Sequence, residues 1–307
     1  MTDLGIATLH ELDSGLGVSA VISEHAASLR SLVVDGVDLV RGTLDLEPPF
    51  CAGVVLVPWP NRVADGQWQL DGATRQLALT EPELGNAIHG LLASTRYKVI
   101  RSHAGGVILA APIAGSQGYP FSLATSVEYR AVEKGIRVRH QVTNLSRSPA
   151  PVAIGAHPYL RLGDVPIDEM VLTVAASRAF ELDERHIPRG SFDVAGTGLD
   201  LRNGRRVADA VAHACYADLA VRDGIVTHRL AAPDGRAVEL WAESAFAYAQ
   251  IYVTGEFPSA TGPVMAIAVE PMTAPPNALQ SGEGLRWLRP GETWAASWGI
   301  RLISPLP

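Results

Sequence analysis

Asp-Gly pairs recur at Asp35-Gly36, Asp65-Gly66, Asp71-Gly72, Asp223-Gly224 and Asp234-Gly235, and the runs between such turns alternate apolar with polar residues. A dipeptide that accepts left-handed backbone suits the tight turn of a β-hairpin, so this punctuation points to antiparallel strands. In Gly135–Val142, Ile136, Val138, His140 and Val142 fall on one face, with Arg137, Arg139 and Gln141 on the other. Phe246–Val253 sets Phe246, Tyr248, Gln250 and Tyr252 against Ala247, Ala249, Ile251 and Val253. Near the C-terminus Trp294, Ala296, Trp298, Ile300 and Leu302 oppose Ala295, Ser297, Gly299 and Arg301. Helical spacing is confined to Arg205–Ala214, which reads as a short helix. The 21 prolines and 29 glycines are spread along the chain and mark no linker. The expectation is an all-β protein, one large antiparallel β-sandwich domain over residues 1–307.

The 25 basic and 32 acidic residues leave a formal charge of −7. That balance argues against nucleic acid and against an anionic membrane surface as partners, since both attract basic patches. Cys51 and Cys215 are too few for a disulfide framework, and no CxxC pair exists. Met1-Thr2-Asp3-Leu4-Gly5 lacks the charged start and apolar core of a secretory leader. No apolar run reaches the ~20 residues that span a bilayer. A soluble, cytoplasmic protein, monomeric or homodimeric, is expected.

Four stretches can carry chemistry. In VVLVPWPNRVADGQW (residues 54–68) the prolines around Trp59 read as a stiff, exposed corner with Arg62 directly after it; alone, that is a surface arginine on a hairpin. In GNAIHGL (85–91), Gly90 lets backbone or ligand approach His89 closely, although a solvated turn histidine has the same pattern. In GAHPYL (155–160), the proline holds His157 in extended backbone at a strand end. By itself it is better explained as a structural histidine. In VMAIAVEPMTAPP (264–276) an apolar strand delivers Glu270 and is again followed by proline. A carboxyl closing a buried run is where a pKa rises toward the working pH of an acid–base catalyst, although a glutamate at an exposed strand end or in a buried ion pair has the same pattern.

A histidine and a glutamate in matching settings fit a general acid and base. No two ligands have metal-type spacing, no serine sits in a GxSxG elbow, and no GxGxxG or P-loop occurs, so neither metal nor cofactor is expected. A glycosidase needs a second carboxylate flanking the scissile bond, and Glu270 has no evident partner of that kind.

Taken together and in order, PWPNRVADGQW, NAIHGL, Gly118-Tyr119-Pro120-Phe121, Asn144 through Pro151 leading to GAHPYL, VEPMTAPPNAL and Leu288-Arg289-Pro290-Gly291-Glu292 resemble the aldose 1-epimerase (galactose mutarotase) family along most of the chain. The resemblance implies a large β-sandwich that interconverts the α and β anomers of a free monosaccharide without cofactor. It implies that His157 is the general acid toward the ring oxygen and Glu270 the base toward the anomeric hydroxyl. Arg62, His89 and Gln250 match the family's sugar contacts. One departure stands out: where the family has a substrate-binding aspartate, this chain reads His213-Ala214-Cys215-Tyr216-Ala217-Asp218. Either His213 or Asp218 takes that contact, or the sugar differs. Two alternatives stay open: a mutarotase for a hexose bearing a phosphate or sulfonate at carbon six, with Arg161 as its cation, and a sugar-binding module without turnover. The remaining histidines, His186 among them, are assigned to structure or surface.

Overall fold

The structure is a computed structural model and describes residues 9–43, 45 and 47–304; the N-terminal reading on Met1 to Gly5 lies outside them. Two large antiparallel sheets dominate. One has nine strands, in the order Lys98–His103, Gly106–Ile113, Leu123–Val132, Gly135–Asn144, Thr293–Ile303, Ala237–Glu243, Ile225–Ala231, Val171–Val174 and Arg205–Arg206. The other runs Pro188–Asp193, Ala176–Leu182, His213–Leu219, Tyr248–Phe257, Val264–Met272, Gly155–Ala156 and Val55–Leu56, with Tyr159–Leu160 also paired to Val264–Met272. Leu9–Asp13, Val18–Ser23, Leu29–Val34 and Val37–Asp38 form a smaller sheet. Side chains from all three meet in one hydrophobic cluster that includes Leu12, Val138, Ile251 and Ile300.

The period-two reading places the core as expected. Ile136, Val138, His140 and Val142 are buried, and so are Trp294, Ala296, Trp298, Ile300 and Leu302. Tyr248–Phe257 and Val264–Met272 behave differently, because both of their faces are covered. Ile251, Ile267 and Val269 enter the main core, whereas Tyr248 and Met272 pack with Cys215 on the opposite face. A strand covered on both sides reads as a near-continuous apolar run, as Met265–Val269 does.

Three expectations are corrected. Arg205–Ala214 is not a helix. Arg205–Arg206 bridges a strand, Val207–Asp209 makes one 3-10 turn, and His213 already opens the next strand. Val207 is the one large apolar side chain it buries, while Val211 stays 44% exposed, so no helical stripe repays folding it. Trp59 is not at an exposed corner; it is 2% exposed and packs on Tyr119 at 6.0 Å between ring centroids. An indole carries too much apolar surface to be left in water when a core adjoins it. Finally, Asp65-Gly66 turns the chain but closes no hairpin. Arg62–Ala64 pairs with Asn86–Ile88, and Gln67–Leu70 pairs with Ala73–Gln76. The other four Asp-Gly pairs do sit between paired segments.

Among the described residues no helix is long and apolar enough to cross a membrane.

Candidate active site

The site is built on the face of the eight-stranded sheet that turns away from the main core. Residues directly opposite in an antiparallel pair share a face. The register Glu270–Gln250–Cys215 and, two residues along, Ala268–Tyr252–His213 therefore puts Glu270, Gln250, Tyr252 and His213 on one side. Tyr159 is opposite Ala268, and His157, two residues before it, shares its side and stacks on it at 5.3 Å. The segments carrying Arg62, Glu81, His89 and His186 close over this face. Together they enclose a cavity of about 430 Å³.

The His157 backbone is strapped from both sides. Its N–H donates to the Val54 carbonyl (3.1 Å), its carbonyl accepts from Gly53 (2.8 Å), and the Pro158 carbonyl accepts from Val269 (3.2 Å). His157 Nε2 then stands 3.4 Å from Glu270 Oε1. Burial lowers the imidazole to about 4 and raises the carboxyl to about 8, so the pair shares a single proton across the neutral range. His157 Nδ1 and Glu270 Oε2 are buried with no hydrogen-bond partner among the described residues. Orphaned buried polar atoms are rare, and two on neighbouring residues lining a cavity are ready for a polar ligand.

His89 has left-handed backbone (φ 63°), as does Gly90, where a Cβ would collide with the Val57 carbonyl. This turn presents His89 edge-on to His157, 5.4 Å between centroids. The Asn61 N–H donates to His89 Nδ1 at 3.3 Å, and the His89 N–H returns a bond to the Asn61 carbonyl at 3.0 Å. Burial, with His157 and Arg62 nearby, lowers its pKa well below the ordinary histidine value. The neutral ring accepts at Nδ1, and its Nε2 carries the proton.

Arg62 makes a two-pronged ion pair with Glu81, Nε to Oε2 at 2.8 Å and Nη2 to Oε1 at 2.7 Å, and donates through Nη1 to His213 Nε2 at 3.3 Å. Burial works against the Glu81 charge, but the bonds from Arg62 and Asn86 outweigh it and hold the carboxyl below its ordinary value. Burial, together with His186 and Arg62, lowers His213 to about 3. Gln250 is fully buried behind the cavity, bonded to Asn61 (3.4 Å) and meeting His213 Nδ1 at 3.4 Å.

Of the residues singled out in the sequence, the structure gathers Arg62, His89, His157, His213 and Glu270 around one space, with Gln250 supporting them from behind. It does not bring Asp218 there. Asp218 is exposed and paired with Arg178 at 3.0 Å. It is five steps along the strand from His213, roughly 16 Å at ~3.3 Å per step. Tyr248 shares the Gln250 face but bonds to Glu283, away from the cavity. Arg161 lies in a separate surface depression and bonds to the Gly163 carbonyl and Asp164. Glu81 and His186 were not selected from the sequence, and no local signal marks either. Among the described residues no three His, Cys, Asp or Glu side chains converge as a metal cage.

A two-sheet antiparallel sandwich with a buried His–Glu pair beneath a polar cavity has the architecture of the galactose mutarotase-like fold. The chain belongs to the aldose 1-epimerase family, whose profile matches residues 8–301. It is 32% identical to the uncharacterized protein YihR of Escherichia coli K12 over 276 residues, 89% of this chain and 86% of that one. To the E. coli aldose 1-epimerase it is 28% identical over 165 residues, 51% of this chain and 46% of that enzyme. Its fold is similar to a GalM/aldose epimerase homologue from C. elegans (TM-score 0.84, 18% identity, 97% of this chain and 99% of that one). It is also similar to galactose 1-epimerase from Lactobacillus acidophilus (TM-score 0.79, 17% identity, 95% and 93%). At such identities the structural likeness speaks for the fold alone.

Proposed function

We propose that the protein is a mutarotase that interconverts the α and β anomers of a neutral free aldose. The observation that carries this is the 3.4 Å approach of His157 Nε2 to Glu270 Oε1 at a cavity of monosaccharide size. The ring oxygen and the anomeric hydroxyl of an aldose hang on the same carbon. An acid for one and a base for the other must therefore be close neighbours, as these two are.

Glu270 takes the proton of the anomeric hydroxyl, the carbonyl forms, the bond from the anomeric carbon to the ring oxygen breaks, and His157 gives its proton to that oxygen. The open-chain aldehyde turns about its bond to the next carbon, and reclosure runs the same transfers in reverse. Before substrate enters, burial favours neutral His157 beside protonated Glu270. The sugar shifts that balance: its hydroxyl donates to the carboxylate and its ring oxygen accepts from the imidazolium, so each contact stabilises the charged form. A positioned acid or base typically contributes ~10²–10⁴ in rate. His89 Nε2–H and the remaining N–H groups of Arg62 suit the hydroxyls, while the rings of Tyr252 and Phe50 suit the C–H face of the sugar.

Arg62 already has Glu81 as counter-ion, and Arg161 does not line the cavity. Both facts favour a neutral sugar over a phosphorylated or sulfonated one. Polarimetry of freshly dissolved α-D-glucose and α-D-galactose tests the proposal. Accelerated decay of rotation is expected, and an unchanged rate with every aldose tried would sink it.

A further inference from the structure

His213 stands where the family resemblance calls for a sugar-binding aspartate, yet its ring is already committed: Nε2 accepts from Arg62, and Nδ1, which carries the proton of the neutral ring, lies against Gln250 at 3.4 Å. Asp218, the other candidate for that contact, lies out of reach. The cavity wall nevertheless has a free hydrogen-bonding side chain. The His186 ring lines the cavity, packs on His213 at 4.0 Å between centroids with the planes tilted by 32°, and makes no side-chain hydrogen bond to any described residue.

His186 is delivered by a turn that is held unusually well for a surface segment. Its own backbone is left-handed (φ 60°). Asp183 Oδ1 accepts from the N–H groups of Arg185 and Ile187, both at 2.9 Å, and the His186 N–H closes the turn onto the Asp183 carbonyl at 2.9 Å. Arg185 then pins the turn across to the 81–86 segment. Its guanidinium donates to the Leu84 carbonyl (2.7 Å), the Gly85 carbonyl (2.8 Å) and Asn86 Oδ1 (3.2 Å), and its own carbonyl accepts from Asn86 Nδ2 (3.2 Å). That is the segment whose Glu81 holds Arg62. His186 and Arg62 are thus fixed to one frame, and both touch His213.

Resting on the mutarotase reading, we propose that His186 takes over the sugar-hydroxyl contact and is a specificity-determining residue. His213 serves as the platform that orients it. Burial and the nearby Arg62 keep its ring neutral at pH 7. A neutral imidazole offers one donor and one acceptor, where a carboxylate only accepts. This wall therefore reads a hydroxyl without adding charge, and it selects among aldoses that differ in the orientation of one hydroxyl.

His186→Phe keeps an aromatic ring against His213 and removes the donor and acceptor offered to the sugar; His186→Asn restores a donor and an acceptor. Mutarotation kinetics and calorimetric binding of D-glucose, D-galactose, D-mannose and D-xylose are measured for the wild-type protein and both variants. The expected result for His186→Phe is KM and Kd raised about 10-fold for the best sugar, the loss of one good hydrogen bond. Its kcat should change by less than about threefold, with flattened preference across the panel and partial rescue by His186→Asn. Wild-type turnover with unaltered KM and preference in His186→Phe overturns this proposal alone. Absence of both binding and turnover in the wild-type protein overturns the mutarotase reading and this proposal with it.

Discussion

His157 Nε2 lies 3.4 Å from Glu270 Oε1, with the two side chains only 7% and 2% exposed. Neither group is redundant if one protonates while the other deprotonates. Glu270→Gln and His157→Asn are each expected to reduce kcat for mutarotation by about 10²–10⁴. Polarimetry on folded protein, checked by circular dichroism, decides this; full activity in both variants would remove the pair from the chemistry.

Because the pair must hold one proton, kcat/KM is expected to be bell-shaped. Above about 8 the carboxyl gives up the proton and no acid remains, so activity falls as pH rises. Below about 4 the imidazole is protonated as well and no base remains, so it falls again. These limits belong to the coupled pair. A pH series of initial rates reads them, and a single limb centred near 6.5 would contradict the buried pair.

Burying Glu270 also affects stability. Its carboxyl is raised from 4.5 to about 8 in the folded protein. Between those values the unfolded chain has lost a proton that the folded one keeps, so stability falls by about 1.4 kcal/mol per pH unit as pH rises, and levels off above 8. Glu270→Gln removes this dependence. The variant is expected to melt several degrees above the wild type at pH 9, at roughly 2–4 °C per kcal/mol, with the gap shrinking toward pH 4.5. Melting curves at the two pH values test it; an equal gap at both would refute it.

Arg62 makes three directed bonds, two to Glu81 and one to His213. A lysine cannot reproduce that planar fork. Arg62→Lys is expected to raise KM about tenfold or more despite conserving charge, as steady-state kinetics would reveal.

Asp218 provides the contrasting case. Its partner Arg178 and its exposure place it outside the cavity, and exposed ion pairs contribute little. Asp218→Ala is expected to leave kcat and KM within about twofold; a large rise in KM would restore it as a sugar contact.

The β architecture was legible in the chain itself. Period-two runs such as Gly135–Val142, and Asp-Gly turns such as Asp71-Gly72, are local properties of backbone and side chain, and the strands appear where those properties require them. His157 and Glu270 were legible as candidates because a proline follows each, and the ordered motifs named the family. Local pattern failed where the determinant was global. Trp59 reads as a corner until a core is placed beside it, and Arg205–Ala214 reads as a helix until its neighbours leave only Val207 to bury.

What the sequence by itself determined is the class of fold and the residue types that can move a proton. Which of them meet was decided by tertiary structure alone. The register Glu270–Gln250 and His213–Tyr252 gathers one face of the sheet, and the straps from Gly53 and Val54 aim His157 at Glu270. Arg185 brings in His186 from a turn that has no signature of its own. The physical reason is one of range. Turn and strand preferences act over a few residues, whereas the neighbours of a buried side chain depend on strand order and on packing between segments far apart in the chain.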